Sequence, residues 1–553
     1  MYQYSEQDQQ FLQTRTEQFR QQTERFLQGQ LSAEEFQQLR LRNGLYIQRL
    51  APMLRVAIPY GLVSADQLRT LAKISRDFDK GYAHFTTRQN IQFNWPKLEA
   101  VPDLLASLAA CDMHAIQTSG SCIRNITTDP LAGIAADEQV DPRPYAELMR
   151  QWSTLHPEFN WLPRKFKIAI TGAPHDRAAI EVHDIGLSAF NEQNNVFFRV
   201  VVGGGLGRTP MIGTTIHERL PAKHLLTYLT AILRVYNRLG RRDNKYKARI
   251  KILVKAMGEA RFRDAVDAAW QPIKGGPDTV SDERIQDLMR HFSQPDYAFV
   301  NDADQPAVIS SDGAFHLWRN RNVLPHKIPG YNAVHISLKR PHTPPGDVSD
   351  ATLEDLAALA DEYSFGEARV THEQNIILAD VETSRLFELW RLLVSADLAT
   401  PNRGLASDMI CCPGGDYCSL ANAKSIPVAA EITKIYEDRQ QEQRLGPLSI
   451  NISGCMNACG HHHVGNIGIL GVDKKGEEFY QISIGGDSGD TGNGAELGKI
   501  LGPALSRQHI ARAVLNLTQC YESARAEDET FNQTLERVGL APFKTAVYES
   551  EAI

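Results

Sequence analysis

The chain has 553 residues, 42% hydrophobic and 23% charged, a make-up that buries real cores and excludes disorder or fibrous repeats as its theme. Lys and Arg total 59 against 66 Asp and Glu, a net charge of −7, which argues against nucleic acid as the main partner because phosphate binding wants a basic face. No apolar run approaches the ~20 residues of a membrane helix, and the polar start MYQYSEQDQQ has no signal region, so a cytoplasmic protein of about three or four domains is expected.

Residues 1–50 come first. Phe11, Phe19, Phe26 and Phe36 are spaced among glutamines and read as an N-terminal helical extension that packs on the body or docks a partner. Beyond it, Leu68, Leu71 and Ile74 show helical spacing, and His84 to Phe93 alternates like a strand. Further on, Phe166 to Gly172, Asp184 to Leu187 and Val200 to Gly204 read as β-branched strands ending at glycines.

These elements recur. Val63-Ser-Ala-Asp-Gln-Leu returns as Val348-Ser-Asp-Ala-Thr-Leu at an offset of 285, and Gly81, Thr86 and Gln89-Asn90-Ile91 meet Gly366, Thr371 and Gln374-Asn375-Ile376. At an offset of 282, Phe166 to Gly172 meets Leu448 to Gly454, Asp184 to Leu187 meets Asn466 to Ile469, and Val200 to Gly204 meets Ile482 to Gly486. The expected fold class is therefore α/β (α+β), internally duplicated, with the copies related by a pseudo-twofold axis.

Eight cysteines are too sparse for a disulfide scaffold, but five lie between 411 and 459. Cys412 and Cys418 form a C-x5-C and Cys455 and Cys459 a C-x3-C, flanked by glycines and a proline. The usual zinc pairs run closer to C-x2-C, and four thiolates also hold iron–sulfur clusters. A non-catalytic zinc-binding protein using the four cysteines stays open as a reading from another class. In the first copy Ala173 and Arg177 stand where Cys455 and Cys459 stand in the second, while Arg164-Lys165-Phe166-Lys167 is replaced there by Gly446-Pro447-Leu448-Ser449. One copy thus carries a thiolate cage and the other a cationic wall, which a pseudo-twofold would set across a shared crevice. Lys165 and Lys167 fall on one side of a predicted strand. Gly203 to Gly207 lacks dinucleotide-fingerprint spacing, Cys411 reads as a buried thiol beside a ligand, and His461-His462-His463 as lining.

The cysteine pairs, the duplication and the Leu-Pro-Arg-Lys-Phe-Lys run resemble the sulfite/nitrite reductase hemoprotein family, and above all its assimilatory sulfite-reducing members, from about residue 50 to 540. The resemblance implies a [4Fe–4S] cluster on Cys412, Cys418, Cys455 and Cys459, with Cys459 bridging to the iron of a siroheme. It implies anion-binding, catalytic cations at Arg55, Arg124, Lys165 and Lys167, and siroheme carboxylate contacts at Thr86, Arg88 and Gln92. The position of His84 often holds arginine in the family, and its internal counterpart here is Arg369. The implied architecture has three domains: 51–120 plus 325–398 as two ferredoxin-like halves, 121–324 as the anion and siroheme domain, and 399–553 as the cluster domain. The implied function is six-electron reduction of sulfite to sulfide in sulfate assimilation and cysteine biosynthesis, with nitrite reduction to ammonia as the alternative within the family. Nothing in the sequence accepts a hydride, so a separate electron donor is expected, an NADPH flavoprotein or a ferredoxin.

Overall fold

The computed structural model describes residues 1–298, 312–437 and 439–549. Ser5 and Ser32 each accept from the backbone three residues on, while Asp8 and Glu35 reach back to them. These capping boxes start the helices Glu6–Leu27 and Ala33–Arg42. Phe19 and Phe36 are fully buried in the central core, so the extension packs on the body. Its helical character ends at Arg42: Leu45–Ile47 is an edge strand paired with Pro52–Ala57. Gly44 turns the chain from that helix into the edge strand at φ 76°, and a Cβ there would lie 2.6 Å from the Arg55 carbonyl, so only glycine permits the approach.

Two five-stranded antiparallel sheets occupy the centre. The first runs Leu45–Ile47, Pro52–Ala57, Asn90–Phe93, Tyr82–Phe85, Asp347–Ser349. The second runs Val323–Pro325, Tyr331–Ile336, Ile376–Glu382, Glu367–Val370, Leu62–Ser64. Each sheet ends on a strand lent by the other repeat, through the pairings of Asp347 with His84 and Arg369 with Leu62. In both copies the lent strand leads straight into a serine-capped helix, Ala65–Phe78 after Ser64 and Asp350–Tyr363 after Ser349. Leu68, Leu71, Leu353 and Leu356 bury completely in one shared core. The segment from His84 to Phe93 is a hairpin rather than one strand. Its turn holds Gln89 in the left-handed region at φ 50°, a conformation that composition does not announce.

The other two sheets are copies of each other. One orders Thr127–Thr128, Ile168–Thr171, Ile185–Glu192, Asn195–Val202, Thr214–Pro221; the second orders Ile410–Cys411, Ile450–Ser453, Ile467–Lys474, Glu477–Ile484, Lys499–Ile500. In each, the first three strands are parallel and the next pairing is an antiparallel hairpin. Each sheet has its own apolar core. Among the described residues no helix is long and apolar enough to cross a membrane.

Candidate active site

The cysteine loops hang from the ends of the parallel strands Ile410–Cys411 and Ile450–Ser453. They touch backbone to backbone: a Cβ on Gly454 would lie 2.6 Å from the Gly414 Cα, which requires glycine at the crossing. The Gly454 N–H donates to the Cys412 sulfur at 3.2 Å, and the Asn457 amide to the Cys455 sulfur at 3.5 Å. Burial pushes the Cys412 thiol up to about 12 and raises Cys418 and Cys455, with the Cys459 charge adding to each. Cys459 is exposed, and the Thr87 hydroxyl donates to its carbonyl at 2.8 Å.

The wall faces this cage. Lys165 and Lys167 lie just before the strand Ile168–Thr171, and Phe166 between them bridges to Ile123, which keeps the backbone extended and both lysines on one side. Both side chains retain some accessible surface, but the space they open on is a recess lined by other cations. Burial, opposed by the nearby Cys459 and reinforced by Arg124 and Arg249, pushes Lys165 down to about 8. Lys167 is pushed well down by burial and then by Lys165 and Arg88.

Three arginines complete the ring. The guanidiniums of Arg55 and Arg124 both donate to the Thr118 carbonyl, at 3.5 and 2.8 Å, and the Gln92 carbonyl oxygen takes Arg55 at 3.2 Å. Arg88 donates to the Thr127 hydroxyl at 2.8 Å and the Asn125 carbonyl at 2.5 Å, and meets the His183 ring at 2.5 Å. Among the described residues its buried Nε has no partner, and burial lowers the guanidinium to about 9. The Thr86 hydroxyl accepts the backbone N–H groups of Arg88 and Asn90, fixing the turn that presents Arg88. Among the described residues, none of Arg55, Arg88, Arg124, Lys165 and Lys167 is ion-paired to a carboxylate. Five clustered cations, none of them ion-paired to a carboxylate, raise one another's energy, so the arrangement fits anionic occupants.

Three residues escaped the sequence reading. His183 holds Arg88 and is kept neutral, its pKa well lowered by burial and then by Arg88 and Lys167. Arg249 grips Asp184 at 2.8 Å through two nitrogens, and Asp184 in turn accepts the Lys167 backbone N–H. Asn125 joins the loops, donating to the Asn90 side chain at 2.9 Å. The available signal was the copy comparison, since Gly465 stands where His183 would recur. His84 does not enter the ring: it pairs with Asp347 at 2.7 Å. His461 is buried and held neutral, His463 meets the Gly207 carbonyl at 3.0 Å, and the His462 ring lies tilted against that of His463, centroids 3.9 Å apart. Cys411 is buried.

Two family models match the chain. One, the nitrite and sulphite reductase 4Fe-4S domain, covers residues 119–274 and 406–552; the other, the nitrite/sulfite reductase ferredoxin-like half domain, covers 48–111 and 338–396. A ferredoxin–nitrite reductase of Synechococcus elongatus is 30% identical over 81% of this chain and 82% of its own. A sulfite reductase [ferredoxin] of Mycobacterium tuberculosis is 28% identical over 87% of this chain and 81% of its own. The solved structure of Mycobacterium tuberculosis NirA superposes with a TM-score of 0.76 at 25% identity, covering 93% of this chain and 92% of that one. The cofactors that go with these domains are a [4Fe–4S] cluster and siroheme. The donor set fits them: four thiols on two touching loops, facing cations that lack anions.

Proposed function

The chain belongs to the nitrite and sulfite reductase family, and on that premise we propose that it reduces sulfite to sulfide in a cytoplasmic assimilatory route. The observation that supports this most is the recess ringed by Arg55, Arg88, Arg124, Lys165 and Lys167 without carboxylate partners, set against the four cysteines. Cys412, Cys418, Cys455 and Cys459 would hold the cluster, with Cys459 shared with siroheme, and Thr86, Arg88 and Gln92 would meet the macrocycle's carboxylates. The three-part division at 51–120 plus 325–398, 121–324 and 399–553 belongs to the same proposal; residues 299–311, 438 and 550–553 lie outside the described ones.

When bound, the cluster and siroheme supply electrons and the iron on which the anion sits. The chain supplies charge, position and protons. Sulfite is a dianion that takes six electrons and six protons to give sulfide and three waters. Arg55 and Arg124 share the Thr118 carbonyl as an anchor, leaving further N–H groups to fork onto sulfite oxygens. Cations fixed in place need no reorganisation as charge builds on those oxygens. Lys165, whose ammonium burial and the neighbouring cations make easier to deprotonate, is placed to give up a proton there.

Nitrite reduction to ammonia is the second reading, because relatives named for nitrite match about as closely as those named for sulfite. We take the donor to be a ferredoxin, as the names of those relatives state for them. Steady-state turnover of both anions with reduced methyl viologen tests the reading: sulfide formation should have the higher kcat/KM, and a preference for nitrite would overturn it. NADPH alone should drive neither reaction.

A further inference from the structure

Two cations at the start of one helix have no part in the mechanism above. Arg249 is the residue before the helix Ile250–Met257, and Lys251 lies in its first turn, where positive charge opposes the helix dipole. What they hold accounts for them. Arg249 grips Asp184, whose carboxylate accepts the Lys167 backbone N–H at 2.8 Å, so this arm fixes the cationic wall. The Lys251 side chain is buried, and its ammonium donates to three carbonyls of one loop, Gly205 and Leu206 at 2.9 Å and Thr209 at 2.6 Å. Mutual backbone bonds between Gly205 and Met211 close that loop. Its tip reaches the cage. The Gly207 carbonyl meets the His463 ring at 3.0 Å, and a Cβ on Gly207 would lie 3.6 Å from the carbonyl of Met456, which stands between Cys455 and Cys459 in the chain. A Cβ on Gly205 would lie 2.9 Å from the Arg249 guanidinium and 3.3 Å from the Lys251 Cδ, so glycine there leaves room for both arms.

The other copy builds the same element without these charges. At the offset of 282, Asp184, Arg249 and Lys251 correspond to Asn466, Phe531 and Gln533. Asn466 still accepts the backbone N–H of Ser449, the counterpart of Lys167, at 2.8 Å. Gln533 turns back to accept the Thr530 N–H at 2.9 Å, and the counterpart loop closes on its own Asp487, which accepts the Thr491 hydroxyl at 2.9 Å. Neutral residues suffice for the fold; the charged arms occur in the copy that bears the cationic wall.

We propose that Arg249 and Lys251 are positioning residues that hold the lysine wall and the Cys455–Cys459 loop at one fixed spacing, so that an anion bound by the wall is presented to the cage. This rests on the functional reading above and deepens it by naming what aligns the two halves of the site. Both arms leave one helix turn, so wall and loop keep their places together. A misplacement of about 1 Å can cost on the order of a hundredfold in rate while the binding charges stay intact, so loosening either arm should lower turnover and spare affinity. Since the bracket needs both arms, cutting the second should add little to cutting the first.

The test uses holoproteins of Asp184→Asn and Lys251→Gln, each borrowed from the other copy, together with their combination and Lys251→Arg. Cluster and siroheme content, sulfite Kd from the shift in siroheme absorbance, and kcat with reduced viologen are measured on each. The expected result is wild-type cofactor content, a Kd within about twofold of wild type, and kcat about tenfold lower in each single variant. The combination should also fall about tenfold rather than about a hundredfold, and Lys251→Arg, which keeps the charge, should recover part of the loss. Wild-type kcat in both single variants, a multiplicative loss in the combination, or losses that track cofactor content would overturn the bracket. Wild-type holoprotein that reduces neither anion with viologen would instead overturn the functional reading beneath it.

Discussion

Cys455 is buried, and among the described residues only Asn457 donates to its sulfur, through its backbone N–H and its side-chain amide at 3.5 Å, which leaves the thiolate's charge for iron to meet. Serine there is a poor ligand in a sulfide cage: purified Cys455→Ser should lose iron and acid-labile sulfide together, and full occupancy of both would contradict the ligand set. Arg88 has a buried, unpartnered Nε and only neutral neighbours on its other nitrogens. Arg88→Leu should lower siroheme absorbance per chain several-fold while Arg88→Lys retains part of it, because the point charge survives without the fork. At this scale the sequence carried the cysteines and the lysines, since motif spacing and the contrast between copies single them out. It did not carry His183, Asn125 or Arg249, which act only through contacts made by folding and sit in no motif.

At the scale of elements, the repeated Gln-Asn-Ile has a structural meaning that neither copy shows alone. Gln89 donates to the Thr128 and Val370 carbonyls and accepts the Thr128 N–H, each at 3.0 Å. Gln374 does the same to Phe85 and Cys411, at 3.0, 3.1 and 2.9 Å. The two glutamines stitch each central hairpin to the other repeat and to the first strand of a site-bearing sheet. Leaving such buried backbone groups unpaired costs about 1–3 kcal/mol each, so Gln89→Leu and Gln374→Leu should each destabilise by at least about 3 kcal/mol in denaturant titration. A large loss in one variant and none in the other would contradict the paired role. The repeat offset was legible; the hairpins were not, because Thr86 to Gln89 and Thr371 to Gln374 lack the glycine or Asn-Gly pairs that mark tight turns.

Across the whole molecule, the exchanged strands Leu62–Ser64 and Asp347–Ser349 weld the two halves of the central core, and no local pattern could announce pairings across 263 and 307 positions. Burial also sets how the molecule responds to acid. His114 and His335 are both pushed down to about 3 by burial, against about 6.5 in an unfolded chain. The stability these two histidines contribute is therefore complete above about pH 6.5 and is lost as pH falls toward 3, because the unfolded chain takes up protons the folded one refuses. Each histidine contributes about 1.4 kcal/mol per pH unit in that window. Among the described residues no other residue hydrogen-bonds either His335 ring nitrogen, so His335→Phe should fold and flatten the decline between about pH 6.5 and 5; an unchanged slope would contradict the assignment. The central claim concerns the recess itself, where cage and wall meet. Its most direct measurement is kcat/KM for sulfite, with reduced viologen, in Lys165→Met and Lys167→Met holoproteins whose cluster and siroheme spectra are recorded alongside. The account predicts wild-type spectra and a fall of about tenfold or more, roughly 1.4 kcal/mol at the barrier; wild-type kinetics in both variants would contradict it.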